Sequence, residues 1–110
     1  MNIGEEDLAE LRAFCPEARY LEEGGTGFID LPGLTFRAGK GEVTRDALLS
    51  LQTHSGYTSR LYLSEPVAGF GQNWTIHSVL GRAWHTPSWN GVAPDKPIVM
   101  LRNHLRVYSP

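Results

Sequence analysis

The chain has 110 residues, 41% of them hydrophobic, with 10 Lys+Arg against 12 Asp+Glu and a formal net charge of -2. That length predicts a single domain over residues 1–110 with a real but modest core. The charge balance excludes a general polyanion or nucleic-acid binder, because counterion-release binding requires a dense basic surface.

The first element predicted is a short helix from about Glu5 to Phe14. Leu8, Leu11, Phe14 and Cys15 fall at spacings that share one helical face. Acidic residues in the first turn suit the positive end of the helix dipole, and Pro16 stops the helix. Cys15 therefore sits on or beside the buried stripe as a small apolar residue, a poor place for a reactive thiolate.

The middle of the chain reads as strands joined by tight turns. Arg19 to Glu22 and Gly27 to Leu31 flank Gly24-Gly25-Thr26-Gly27, a hairpin turn in which glycine accepts positive φ. Leu34 to Arg37 continues the second strand beyond a bend at Pro32-Gly33, and Gly39-Lys40-Gly41 makes another turn. Ala47 to Thr53 and Arg60 to Ser64 are the next strands, joined across Ser55-Gly56-Tyr57. In the last of them Leu61 and Leu63 face one way and Tyr62 the other. Short strands with short links imply an antiparallel meander of four strands.

After Pro66 the pattern changes. Val67 to Asn73 contains glycines and no period, and reads as a loop. Trp74 to Val92 reads as a long, largely irregular aromatic segment that must be pinned against the body, since exposed tryptophans would carry a large hydrophobic penalty. A closing helix follows from about Asp95 to Tyr108, with Asp95 as cap and Pro97 tolerated in the first turn. Ile98, Leu101, Leu105 and Tyr108 form its buried face, and Arg102 and Arg106 suit its C-terminal end. The predicted class is α+β: N-terminal helix, four-stranded antiparallel meander, long aromatic segment, C-terminal helix.

One cysteine excludes an internal disulfide and a thiolate zinc cage, and suits a reducing compartment. No apolar run approaches the ~20 residues of a membrane helix. The N-terminus is acidic and lacks an apolar segment, which argues against a secretory signal. The expectation is a cytoplasmic protein with no membrane partner.

Chemistry-bearing residues are concentrated in Gly81-Arg82-Ala83-Trp84-His85-Thr86-Pro87-Ser88-Trp89-Asn90-Gly91-Val92. Two readings stand side by side. In one, Trp84 and Trp89 rim a groove, Arg82 contacts a partner, and His85 serves as acid, base or donor near neutral pH. In the other, the tryptophans plug the core, Arg82 is a clamp, His85 is satisfied by the backbone and Asn90-Gly91 is a turn. The four histidines, His54, His77, His85 and His104, have no metal-ligand spacing, so no metal is expected. No phosphate loop or nucleophile elbow is present, and no cofactor is expected.

The order of elements resembles the ubiquitin-conjugating-enzyme fold in its minimal form. Leu31-Pro32-Gly33, Leu48-Leu49-Ser50-Leu51-Gln52, Ser55-Gly56-Tyr57 and Leu61-Tyr62-Leu63-Ser64-Glu65-Pro66 are similar to successive blocks of prokaryotic ubiquitin-conjugating-like proteins. So are Gly81-Arg82-Ala83-Trp84-His85, Trp89-Asn90-Gly91-Val92 and Asn103-His104-Leu105. The resemblance covers nearly the whole chain. It implies a place in bacterial operons that encode a ubiquitin-like protein, an activating enzyme and a deconjugating metalloprotease, with the first two as partners.

Conjugating members of that family accept the modifier on a cysteine thiolate. The corresponding region here, about Gly71 to Trp89, contains no cysteine. His85-Thr86-Pro87-Ser88-Trp89-Asn90 is similar to the histidine, proline and asparagine before the eukaryotic cysteine, but its spacing differs, so oxyanion stabilisation is not carried over to Asn90. Two functions remain open. One is a binding component that forms no standard thioester; the other is an enzyme on the same fold centred on His85, with Asn90 or His77 assisting.

Overall fold

The computed structural model describes residues 4–50, 59–67, 69, 74–87 and 95–108. Helix α1 spans Glu5–Phe14, with Glu5, Glu6 and Asp7 in its first turn. Leu11 is its fully buried contact, and the Cys15 N–H closes the helix by donating to Leu11 O at 2.7 Å.

Six strands follow: β1 (Arg19–Glu23), β2 (Thr26–Ala38), β3 (Gly41–Ser50), β4 (Arg60–Leu63), β5 (Thr75–Val79) and β6 (Arg82–Thr86), and then α2 (Pro97–Leu105). They form one antiparallel sheet in the order β1-β2-β3-β4-β6-β5. The α+β class stands, but the four-strand expectation is corrected to six strands among the described residues. The segment read as irregular contains the β5–β6 hairpin. Its turn, Leu80-Gly81, has φ 52° and 73°, the left-handed pair that a two-residue hairpin requires. Gly24-Gly25 does the same between β1 and β2 with φ 58° and 81°.

Two boundaries also move. β3 starts at Gly41, six residues before Ala47, because cross-strand partners on β2 hold its polar half. Thr35 and Thr44 are opposite in register, and their hydroxyls lie 2.8 Å apart. The register shifts between Leu31 and Leu34, where the Gly33 N–H donates to Asp46 Oδ1 at 2.9 Å. α2 is shorter than expected, with Lys96 rather than Asp95 at its N-cap position. Asp95 Oδ1 accepts the Lys96 N–H at 2.7 Å instead. The link through Ser55-Gly56-Tyr57 and the strand residues Leu51 to Thr53 lie outside the described residues.

Strand alternation sorts the apolar residues onto two faces. Ile29, Leu31, Leu34, Phe36, Ala47, Leu49, Leu61 and Leu63 point to the side where α1 and α2 pack, and join Leu11, Ile98, Leu101 and Tyr108 in the main core. Phe28, Leu48, Tyr62, Val79 and Trp84 form a second buried cluster on the other side. Tyr62 thus opposes Leu61 and Leu63, as the alternation of β4 predicted.

Sheet twist helps close the second cluster. β1 and β5 are opposite edges of the sheet, yet Glu23 Oε2 accepts the Leu80 N–H at 2.5 Å. A coiled sheet lifts one diagonal pair of corners over one face, which brings the end of β1 to the β5–β6 turn. Among the described residues no helix is long and apolar enough to cross a membrane.

Candidate functional site

Cys15 follows α1 and is 3% exposed. Its Sγ lies 3.3 Å from Pro32 O and donates to it. Burial pushes the thiol pKa up, outweighing a backbone hydrogen bond at Glu17 that lowers it. The protonated, hydrogen-bonded state is therefore favoured, which is the reverse of what a thioester-forming nucleophile needs.

The residues around Trp84 occupy the face of the sheet away from the helices. Trp84 is 3% exposed, and its Nε1–H donates to Val79 O at 3.1 Å across the hairpin. The Arg82 guanidinium lies 4.6 Å from the Trp84 ring centroid and 3.0 Å from Asp46 Oδ2. Asp46 is held below the usual carboxylate range, first by the Gly33 N–H and then by Arg82. Arg82 therefore ties β6 to β3 and to the β2 bulge. A recess of about 140 Å³ lies between Arg19, Leu21 and Asp30 on one side and Leu80, Arg82 and Trp84 on the other. Its charges are already paired, because Arg19 Nε donates to Asp30 at 3.1 Å.

His85 and His77 lie on opposite faces. His85 pairs in register with Leu63 and with Ile76, which places it on the helix side, half-buried. Its imidazole makes no hydrogen bond among the described residues. His77 is opposite Trp84, with Nε2 2.9 Å from Thr75 Oγ1 and its ring edge-on to Tyr62 at 5.6 Å. The sheet therefore separates His85 from His77, one of the two residues offered as its assistant in the enzyme reading. Asn90 and Trp89 lie outside the described residues, as does His54.

The fourth histidine, His104, forms a pair that sequence spacing does not reveal. It is 4% exposed on α2, with Nε2 3.0 Å from Ser59 Oγ. Ser59 donates its own proton to Ser50 O at 3.0 Å, so Oγ accepts from His104 Nε2–H. Burial lowers the His104 pKa to about 4. A serine nucleophile would need the opposite polarity, with the imidazole taking its proton. The adjoining void, lined by Arg60, Thr86 and Tyr108, holds only about 10 Å³ and admits no substrate. Ser59–His104 is a neutral staple from α2 to the sheet. The two residues are 45 positions apart, and only the fold brings them together.

Among the described residues no group of three His, Cys, Asp or Glu side chains could hold a metal ion. No protein-family model, curated protein or solved structure matches the chain.

Proposed function

We propose that this chain is a ubiquitin-conjugating-enzyme-like binding component of a bacterial ubiquitin-like modification pathway. It docks the modifier, its activating enzyme or a target and forms no cysteine thioester. The observation that carries the non-thioester half is Cys15: its thiol is buried, hydrogen-bonded to Pro32 O and raised in pKa. The pathway half rests on the sequence blocks named above and on the order of helix, meander and closing helix.

A charging assay tests both halves. The protein is mixed with ATP, the activating enzyme and the ubiquitin-like protein of the same operon, then separated with and without reductant. The expected result is a charged activating enzyme, measurable binding by the chain and no reductant-sensitive adduct on it. An adduct that disappears in Cys15→Ala would overturn the non-catalytic reading. Absence of binding to the modifier, the activating enzyme and the targets would overturn the pathway assignment.

A further inference from the structure

α1 ends on Phe14, an aromatic side chain that a stable helix end would ordinarily bury, yet it is 44% exposed. It borders an open groove of about 440 Å³ whose apolar lining continues through Phe36 and Leu105. Three arginines stand around this floor: Arg37 from β2, and Arg102 and Arg106 from the end of α2. The last two are four residues apart and so share one helical face.

These cations differ from most of the others described. Arg12 and Arg45 donate to backbone carbonyls. Arg19, Arg82 and Lys96 have carboxylate partners at 3.1, 3.0 and 2.7 Å. Arg37, Arg102 and Arg106 make no side-chain ion pair or hydrogen bond among the described residues. Glu42, opposite Arg37 in register, is the single acid in the lining. Complementing the α2 dipole would account for Arg102 and Arg106 taken alone. It does not account for Arg37, which reaches the same groove from the sheet, nor for an exposed phenylalanine between them.

We propose that this groove binds a short acidic peptide segment of a partner protein. An aromatic or branched aliphatic side chain of the segment packs against Phe14 and Leu105, and its flanking carboxylates meet Arg37, Arg102 and Arg106. Guanidinium groups suit this role because their planar donors match carboxylates in bidentate geometry. The open, half-polar groove is a poor container for a fatty acid. A chain of net charge -2 with an acid in the rim is a poor nucleic-acid surface. The surface is independent of the pathway reading, and either can fail alone.

The test uses a fluorescein-labelled peptide in which aspartates and glutamates flank one phenylalanine, titrated with the full chain and read by fluorescence anisotropy. Saturable binding is expected, weakening as salt rises from about 50 to about 500 mM. The Arg102→Ala/Arg106→Ala variant should lose about tenfold or more in affinity, and Phe14→Ala about fivefold, as for central anchors of an interface. Arg37→Ala, a change on a different element, should weaken binding in the same sense. All these side chains are exposed, and unchanged thermal melts would show that the variants fold. Failure to bind, equal binding of a glutamine-substituted peptide, or affinity indifferent to the arginines would overturn the proposal. So would tighter binding of an oligonucleotide or anionic vesicles. A dimer of the unaltered chain that disappears in the double-arginine variant would assign the groove to a second copy and likewise overturn it.

Discussion

On one side of the sheet, Ile29, Leu31, Leu49, Leu61 and Leu63 pack in a core shared with both helices; on the other, Phe28, Leu48, Tyr62 and Trp84 sit under converging sheet corners. The polar chemistry divides in the same way. The helix side buries neutral polar groups, the Cys15 thiol and the Ser59–His104 pair, and keeps its ion pair, Lys96–Glu10, at the exposed rim between the helices. The opposite side is rimmed by ion pairs, Arg19–Asp30 and Arg82–Asp46, together with Glu23 on the Leu80 N–H. Surface pairs of that kind contribute little and are screened by salt, whereas a buried neutral base resists protonation strongly. Both sides depend on packing; the first adds a dependence on pH through His104, and the second a dependence on turn geometry.

The strongest way to break this contrast is to remove Trp84. It is the largest side chain of the second cluster and also hydrogen-bonds the hairpin. Trp84→Ala should destabilise the protein by about 3–5 kcal/mol in urea unfolding, the usual range for deleting a buried aromatic. Leu101→Ala in the main core should cost about 2–5 kcal/mol. A Trp84→Ala loss below about 1 kcal/mol would show that the corners do not enclose a true second core.

The next effect belongs to the helix side. An unfolded histidine takes a proton as the pH falls through about 6.5, but folded His104 does so only near 4. Between those values the unfolded state binds the extra proton, so stability falls as pH falls; below that window both states are protonated and this group adds no further loss. The shift corresponds to about 3 kcal/mol lost across the window. Urea midpoints from pH 7 to pH 4 would measure it, with His104→Gln as the control. The variant should have a shallower slope whatever its absolute stability, and an equal slope would remove His104 as the cause.

These same places show what the sequence could and could not reveal. α1 was legible because its apolar spacing, acidic first turn and Pro16 all agree. The β1–β2 hairpin was legible because two glycines advertise positive φ. The polar first half of β3 was not, since Gly41 to Asp46 is held by partners on β2 rather than by a hydrophobic alternation of its own. Among the candidate residues, Cys15 is buried as expected but not through a helical face: it lies just past α1 in extended backbone, and Phe14, expected on the same face, is exposed. The separation of His77 from His85 required the pairing of β5 with β6, and the meeting of Phe14 with Arg37, Arg102 and Arg106 required the whole fold. The β5–β6 hairpin was hidden by its turn. Leu80 occupies a position where Asn or Gly is the usual signal, so the strands Thr75–Val79 and Arg82–Thr86 merge, in sequence, into the irregular aromatic segment Trp74 to Val92.

That leucine supplies the finest test of the comparison. A non-glycine residue in the left-handed region carries roughly 1–2 kcal/mol of strain, and Leu80 has φ 52°. Its side chain is only partly buried against the second cluster, so little apolar area is lost on replacement. Leu80→Asn keeps the turn geometry that asparagine tolerates and should stabilise the protein by up to about 1 kcal/mol. Gly25→Ala, in the equivalent turn at the opposite corner, should destabilise it by about 1 kcal/mol or more, because alanine there must adopt φ near 81°. Opposite signs at the two turns would show that turn conformation governs how the corners close. A clear loss in Leu80→Asn would instead mean that Leu80 holds its corner by contact with the Trp84 cluster, with the strained φ maintained by that packing.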